Sequence, residues 1–65
     1  MFEKNLKEYR ERRGYTQNEL AALVGVTQGA IAQFETGSAV PNVKTAVRIA
    51  DVLGVNCETL VKGKM

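Results

Sequence analysis

Three glutamines are the residues of this 65-residue chain best suited to chemistry. Gln17, Gln28 and Gln33 carry amides that donate and accept hydrogen bonds at the same time. Such a set recognises polar surfaces and does not break bonds. No histidine is present, Ser38 is the only serine and lacks an imidazole to activate it, and Cys57 is the only cysteine. That inventory builds neither an internal disulfide nor a Cys/His metal site. No P-loop or GxGxxG occurs. The expectation is a binding protein, not an enzyme, with no cofactor, no metal and no small-molecule ligand.

The elements that position these side chains follow from caps and apolar spacing. A first helix is expected over roughly Glu3 to Arg13, with Phe2, Leu6 and Tyr9 as its apolar stripe and Gly14 as its stop. Thr16 with Glu19 three residues on is a capping box, so a second helix starts at Gln17 and runs to Val24. Gly25 and Val26 make a turn. Thr27 caps a third helix from Gln28 to Glu35 or Thr36, which Gly37 ends. After a loop holding Pro41, Asn42 caps a fourth helix, Val43 to Leu53. Its expected buried stripe is Val43, Ala46, Val47, Ala50 and Leu53. Gly54 stops it, and Asn56 opens a fifth, short helix from Cys57 to about Val61, with Leu60 turned inward. The predicted fold is all-α: five helices forming one domain over residues 1–65.

Within that fold, Leu20, Ala21, Val24, Val26, Ile31 and Phe34 are spaced to bury the second helix against the third. Gly25 falls where a turn between two nearly perpendicular helices needs a positive φ. Residues 17–36 therefore read as a helix-turn-helix, whose usual work is to place its second helix in the major groove of double-stranded DNA. The formal charge of +2 is only mildly basic. The cations are unevenly placed: Lys4, Lys7, Arg10, Arg12 and Arg13 come early, Lys44, Arg48, Lys62 and Lys64 late, and none lies between Gly14 and Ser38. They would flank a reading helix and not sit on it. The N-terminal stretch lacks the apolar run of a signal peptide, and no stretch approaches the roughly 18 apolar residues of a membrane span, so no membrane partner and a cytoplasmic location are expected.

The runs R-x-x-R-G-Y-T-Q-x-E-L-A (Arg10 to Ala21) and G-V-T-Q-x-x-I-x-x-F-E-x-G (Gly25 to Gly37), with Pro41, I-A-D-V-L-G-V (Ile49 to Val55) and a closing E-T-L, resemble the Cro/cI-type (XRE-family, lambda-repressor-like) helix-turn-helix domain. The resemblance implies a transcriptional regulator, a repressor, binding a pseudo-palindromic operator as a homodimer at least on DNA. It assigns base contacts to Gln28 and Gln33, with Gly29 and Ala32 on the same face. It gives Gln17 a phosphate contact and matches Arg10 and Glu35 to a structural ion pair between the first and third helices. Thr27, Ser38, Asn42 and Lys44 are further phosphate candidates: two helix caps, a loop hydroxyl and a cation in a first turn, where the helix dipole disfavours it. Arg12 and Arg13 are expected in solvent or near phosphate, and Arg10 or Arg13 could help set the register. Cys57, Thr59 and Val61 are the candidate dimer contacts.

Each role has a plainer counterpart. Gln28 and Gln33 can be solvated polar residues, Lys44 an ordinary surface lysine, and Cys57 a small apolar residue. A Gln28–Gln17 bond would orient Gln28. The bare Gly29/Ala32 face either lets the helix approach the bases closely, with Ala32 against a thymine methyl, or means weak direct readout. The alternative function is a protein-interaction module such as an antitoxin or anti-repressor.

Overall fold

The computed structural model describes residues 2–56 together with Glu58 and Leu60. These residues hold four helices: α1 (Phe2–Arg12), α2 (Gln17–Val24), α3 (Gln28–Thr36) and α4 (Val43–Leu53). The expected five are thus corrected to four among the described residues. The fifth, over Cys57 to Val61, falls mainly outside them. Glu58 and Leu60 are helical, and the Leu60 N–H donates to the Asn56 carbonyl at 3.1 Å.

The caps act where local chemistry puts them. Thr16 Oγ1 accepts from the Glu19 N–H at 3.0 Å, and Glu19 Oε1 accepts from the Thr16 N–H at 2.8 Å. Thr27 Oγ1 accepts from the Ala30 N–H at 3.1 Å, and Asn42 Oδ1 from the Thr45 N–H at 2.8 Å. Each bond satisfies an amide that a helix start leaves without a backbone partner. Thr16→Ala is expected to cost about 1 kcal/mol, a drop of roughly 4–8 °C in Tm for a domain of this size, read by thermal unfolding followed by circular dichroism.

The α2–α3 turn depends on Gly25. It adopts φ 90° and ψ 30°, a left-handed conformation, and its N–H returns to the Ala21 carbonyl at 2.8 Å. Val26 N–H reaches the same carbonyl at 3.0 Å. Two residues thus finish α2 and free Thr27, in extended conformation, to cap α3.

α3 packs on α1 and α2, and α2 packs on α4. The core is Leu6 and Tyr9 from α1, Leu20, Ala21 and Val24 from α2, Ile31 and Phe34 from α3, Ile49, Ala50 and Leu53 from α4, and Leu60. The expected α4 stripe is partly wrong. Val43 is 80% exposed and Val47 44% exposed, whereas Ile49 is fully buried. Ala46, Ile49, Ala50 and Leu53, spaced three, four and seven apart, form the inward face. That rotation buries an isoleucine with the leucine and leaves out two smaller valines, which removes more apolar area from water.

A polar contact reaches the core as well. Asn5 is buried, and its Nδ2 donates to the Leu60 carbonyl at 2.9 Å, tying α1 to the segment after α4.

Candidate nucleic-acid interface

α3 turns Ile31 and Phe34 into the core, which leaves Gln28, Gly29 and Gln33 exposed on its other side. Ala32, expected on the open face, is half-buried and sits at the edge of that surface. A Cβ on Gly29 would meet nothing nearer than Thr27 Oγ1 at 3.9 Å. Packing therefore does not require glycine there, and the surface is bare because of its residue types.

Behind this face runs a chain of polar side chains. Arg10 Nε donates to Glu35 Oε2 at 2.5 Å and its Nη2 to Oε1 at 3.2 Å, while Nη1 donates to the Tyr15 carbonyl at 2.7 Å. The side chains are 9% and 3% exposed, so this forked ion pair is shielded from water. The hydrogen bond to Glu35 is the main cause of an Arg10 pKa raised above its ordinary value; burial acts in the opposite direction. Gln17 Nε2 donates to Glu35 Oε1 at 3.0 Å, and Gln28 Nε2 donates to Gln17 Oε1 at 2.6 Å. The first turn of α3 is thereby linked through α2 to the buried pair between α1 and α3. Among the described residues, no buried side-chain nitrogen or oxygen lacks a partner.

The other named positions surround α3. Thr27 uses an oxygen lone pair for its cap and keeps its hydroxyl proton as a donor. Asn42 uses Oδ1 for its cap, and Nδ2 is a donor. Ser38 Oγ lies 3.0 Å from Thr36 Oγ1, and Lys44 is exposed in the first turn of α4. Cys57, Thr59 and Val61 lie outside the described residues.

Arg13 is exposed, as expected, and is also tied to the fold. Its Nε donates to the Leu53 carbonyl at 2.7 Å, capping the C-terminal end of α4, where a positive charge is favoured. Arg10 is committed to the interior. Arg12 is exposed, as expected, within 3.5 Å of Glu8 and over the Tyr9 ring at 5.3 Å. The residue that sequence reasoning missed is Asn5, an amide placed between the helix's apolar positions. The link it missed is Gln17–Glu35, which exists only once three helices are assembled.

Two short helices joined by a glycine turn, with the second helix exposed, define a class, and the comparisons agree. Residues 6–60 match the helix-turn-helix family model, and the chain belongs to that family. The resemblance to the Cro/cI type is borne out by its relatives. The chain is 36% identical over 63 residues to YonR, an uncharacterized SPbeta prophage-derived HTH-type transcriptional regulator of Bacillus subtilis (strain 168), covering 97% of this chain and 58% of that protein. It therefore spans little more than half of that relative. A crystal structure of the P22 c2 repressor with a synthetic operator superposes with a TM-score of 0.94 at 25% identity, covering 98% of this chain and 97% of the other. The biofilm master regulator SinR in complex with DNA gives a TM-score of 0.88 at 29% identity, covering 94% and 98%. No helix among the described residues is long and apolar enough to cross a membrane.

Proposed function

We propose that this domain is a DNA-binding transcriptional regulator, a repressor, that lays α3 in the major groove of a pseudo-palindromic operator. The observation that carries the reading is the exposed Gln28–Gln33 face, with Gln28 held in place by Gln17 at the start of α3. The DNA complexes of the P22 c2 repressor and SinR support it, since both share the fold at comparable length. Gln28 and Gln33 read base edges, and Gly29 and Ala32 let the helix come close. Gln17, Thr27, Ser38, Asn42 and Lys44 hold phosphates, and the Arg10–Glu35 pair keeps α3 in register with α1.

Two copies bind half-sites about 34 Å apart, one turn of the duplex. Exposed valines support the pairing: Val40 is 83% exposed, and Val43 and Val47 follow on one side of α4, beside Lys44. The role is one of binding and not of catalysis, in the cytoplasm, by residues 1–65 as one domain.

The reading is tested by titrating labelled duplex DNA with the protein over a range of salt concentrations. Affinity is expected to fall as salt rises, because neutralised phosphates release counterions. Lys44→Ala should weaken all sequences alike and reduce the salt slope by about one. Binding that ignores both salt and sequence would overturn the proposal.

A further inference from the structure

An ionised carboxylate only accepts hydrogen bonds and a guanidinium only donates them, whereas a glutamine amide does both and can turn over to exchange its oxygen and nitrogen. Here two amides of the second kind are lined up behind two groups of the first. Arg10 supplies donors to Glu35. Glu35 has no proton to give, so Gln17 must turn its nitrogen toward Oε1, at 3.0 Å. That leaves the Gln17 oxygen facing Gln28, which must answer with its own nitrogen, at 2.6 Å. The Gln28 oxygen and its second N–H are what remain for the groove. The chain begins at a carboxylate 3% exposed and ends at an exposed side chain, so a direction set in the interior is delivered at the surface.

We propose that Glu35 is a positioning residue for base discrimination: through Gln17 it fixes which way the Gln28 amide faces, and thereby makes Gln28 reject guanine where it accepts adenine. The inference rests on the functional reading above. In the paired contact, adenine offers the N6 donor and the N7 acceptor, which match an amide oxygen and an N–H. Guanine offers O6 and N7, both acceptors. An amide free to turn would bring its nitrogen to O6. One held by Gln17 meets O6 with its oxygen, and the two lone pairs repel. The direction of the amide thus contributes more to excluding guanine than to binding adenine.

Two variants test this. Gln17→Leu cuts the chain and leaves the Arg10–Glu35 pair in place. Glu35→Gln reverses it: Arg10 still demands an acceptor, so the new amide turns its oxygen to Arg10 and its nitrogen to Gln17, and Gln17 and Gln28 turn over in response. The first readout is the ratio of affinities for two duplexes differing only by adenine or guanine at the Gln28 position. A lost phosphate contact from Gln17 affects both duplexes equally and cancels. The ratio is expected to fall about tenfold in both variants, mainly by improved relative binding of the guanine duplex.

The second readout needs no DNA. In 15N-labelled free protein the Gln28 side-chain amide should be ordered in the native chain, unlike that of exposed Gln33, and should become mobile in Gln17→Leu. An unchanged ratio in folded Gln17→Leu, or a native Gln28 amide as mobile as that of Gln33, overturns the role of Glu35 alone. A native protein with no sequence preference on any duplex overturns the functional reading, and this role with it.

Discussion

Arg10→Ala should destabilise the domain by about 3–5 kcal/mol, the cost of stranding one partner of a buried ion pair. The loss falls on two acceptors. Glu35, with a side chain 3% exposed, keeps only the Gln17 amide as a donor, and the Tyr15 carbonyl loses Arg10 Nη1. A chain of this length has little reserve, because small domains bury only about 60% of their unfolded surface and total stabilities start near 5 kcal/mol. Urea unfolding followed by circular dichroism is the measurement. Arg10→Lys should recover only part of the loss, since one ammonium on a flexible stem does not reproduce a fork that meets two carboxylate oxygens and a carbonyl. A cost below about 1 kcal/mol for the alanine variant would mean that the pair behaves as a surface ion pair and does not anchor α3.

Gln28→Ala should cost about 1–3 kcal/mol on the preferred DNA site, roughly five- to 150-fold in affinity, and should flatten preference at one base position in each half-site. Folding should be almost unaffected, because Gln28 is exposed and its partner Gln17 retains Glu35. The pattern of loss separates this residue from Lys44: one variant loses discrimination, the other loses affinity evenly. If Gln28→Ala binds every sequence with the native order of preference, Gln28 does not read a base.

Much of the fold was legible because it is written in local chemistry. Thr16, Thr27 and Asn42 each place a side-chain oxygen within reach of an amide three residues on, and none of the three needs the rest of the molecule to do so. Gly25 and Gly37 take positive φ values of 90° and 81°, so helix ends were visible as residue types. The errors lie where assembly decides. Val43 and Val47 fit an inward stripe by spacing, but the packing partner α2 is served better by Ile49 and Leu53. Arg13 is exposed as expected, but its bond to the Leu53 carbonyl exists only once α4 ends beside it. Ala32 is half-buried beside Ile31, at the edge of the open face and not in its middle.

The candidate site divides in the same way. The residue types of Gln17, Gln28 and Gln33 stand in the sequence, and the Arg10–Glu35 pairing followed from the family resemblance. The hydrogen bond from Gln17 to Glu35 could not, because it joins residues 18 apart whose meeting depends on how α2 and α3 cross.

Operator recognition by α3 is tested by selecting bound duplexes from a random DNA pool with the purified, folded protein at moderate salt. Enrichment of a two-fold symmetric consensus is expected, with half-sites about one helical turn apart and adenine prominent where Gln28 reaches the groove. A folded protein that enriches no sequence would contradict it.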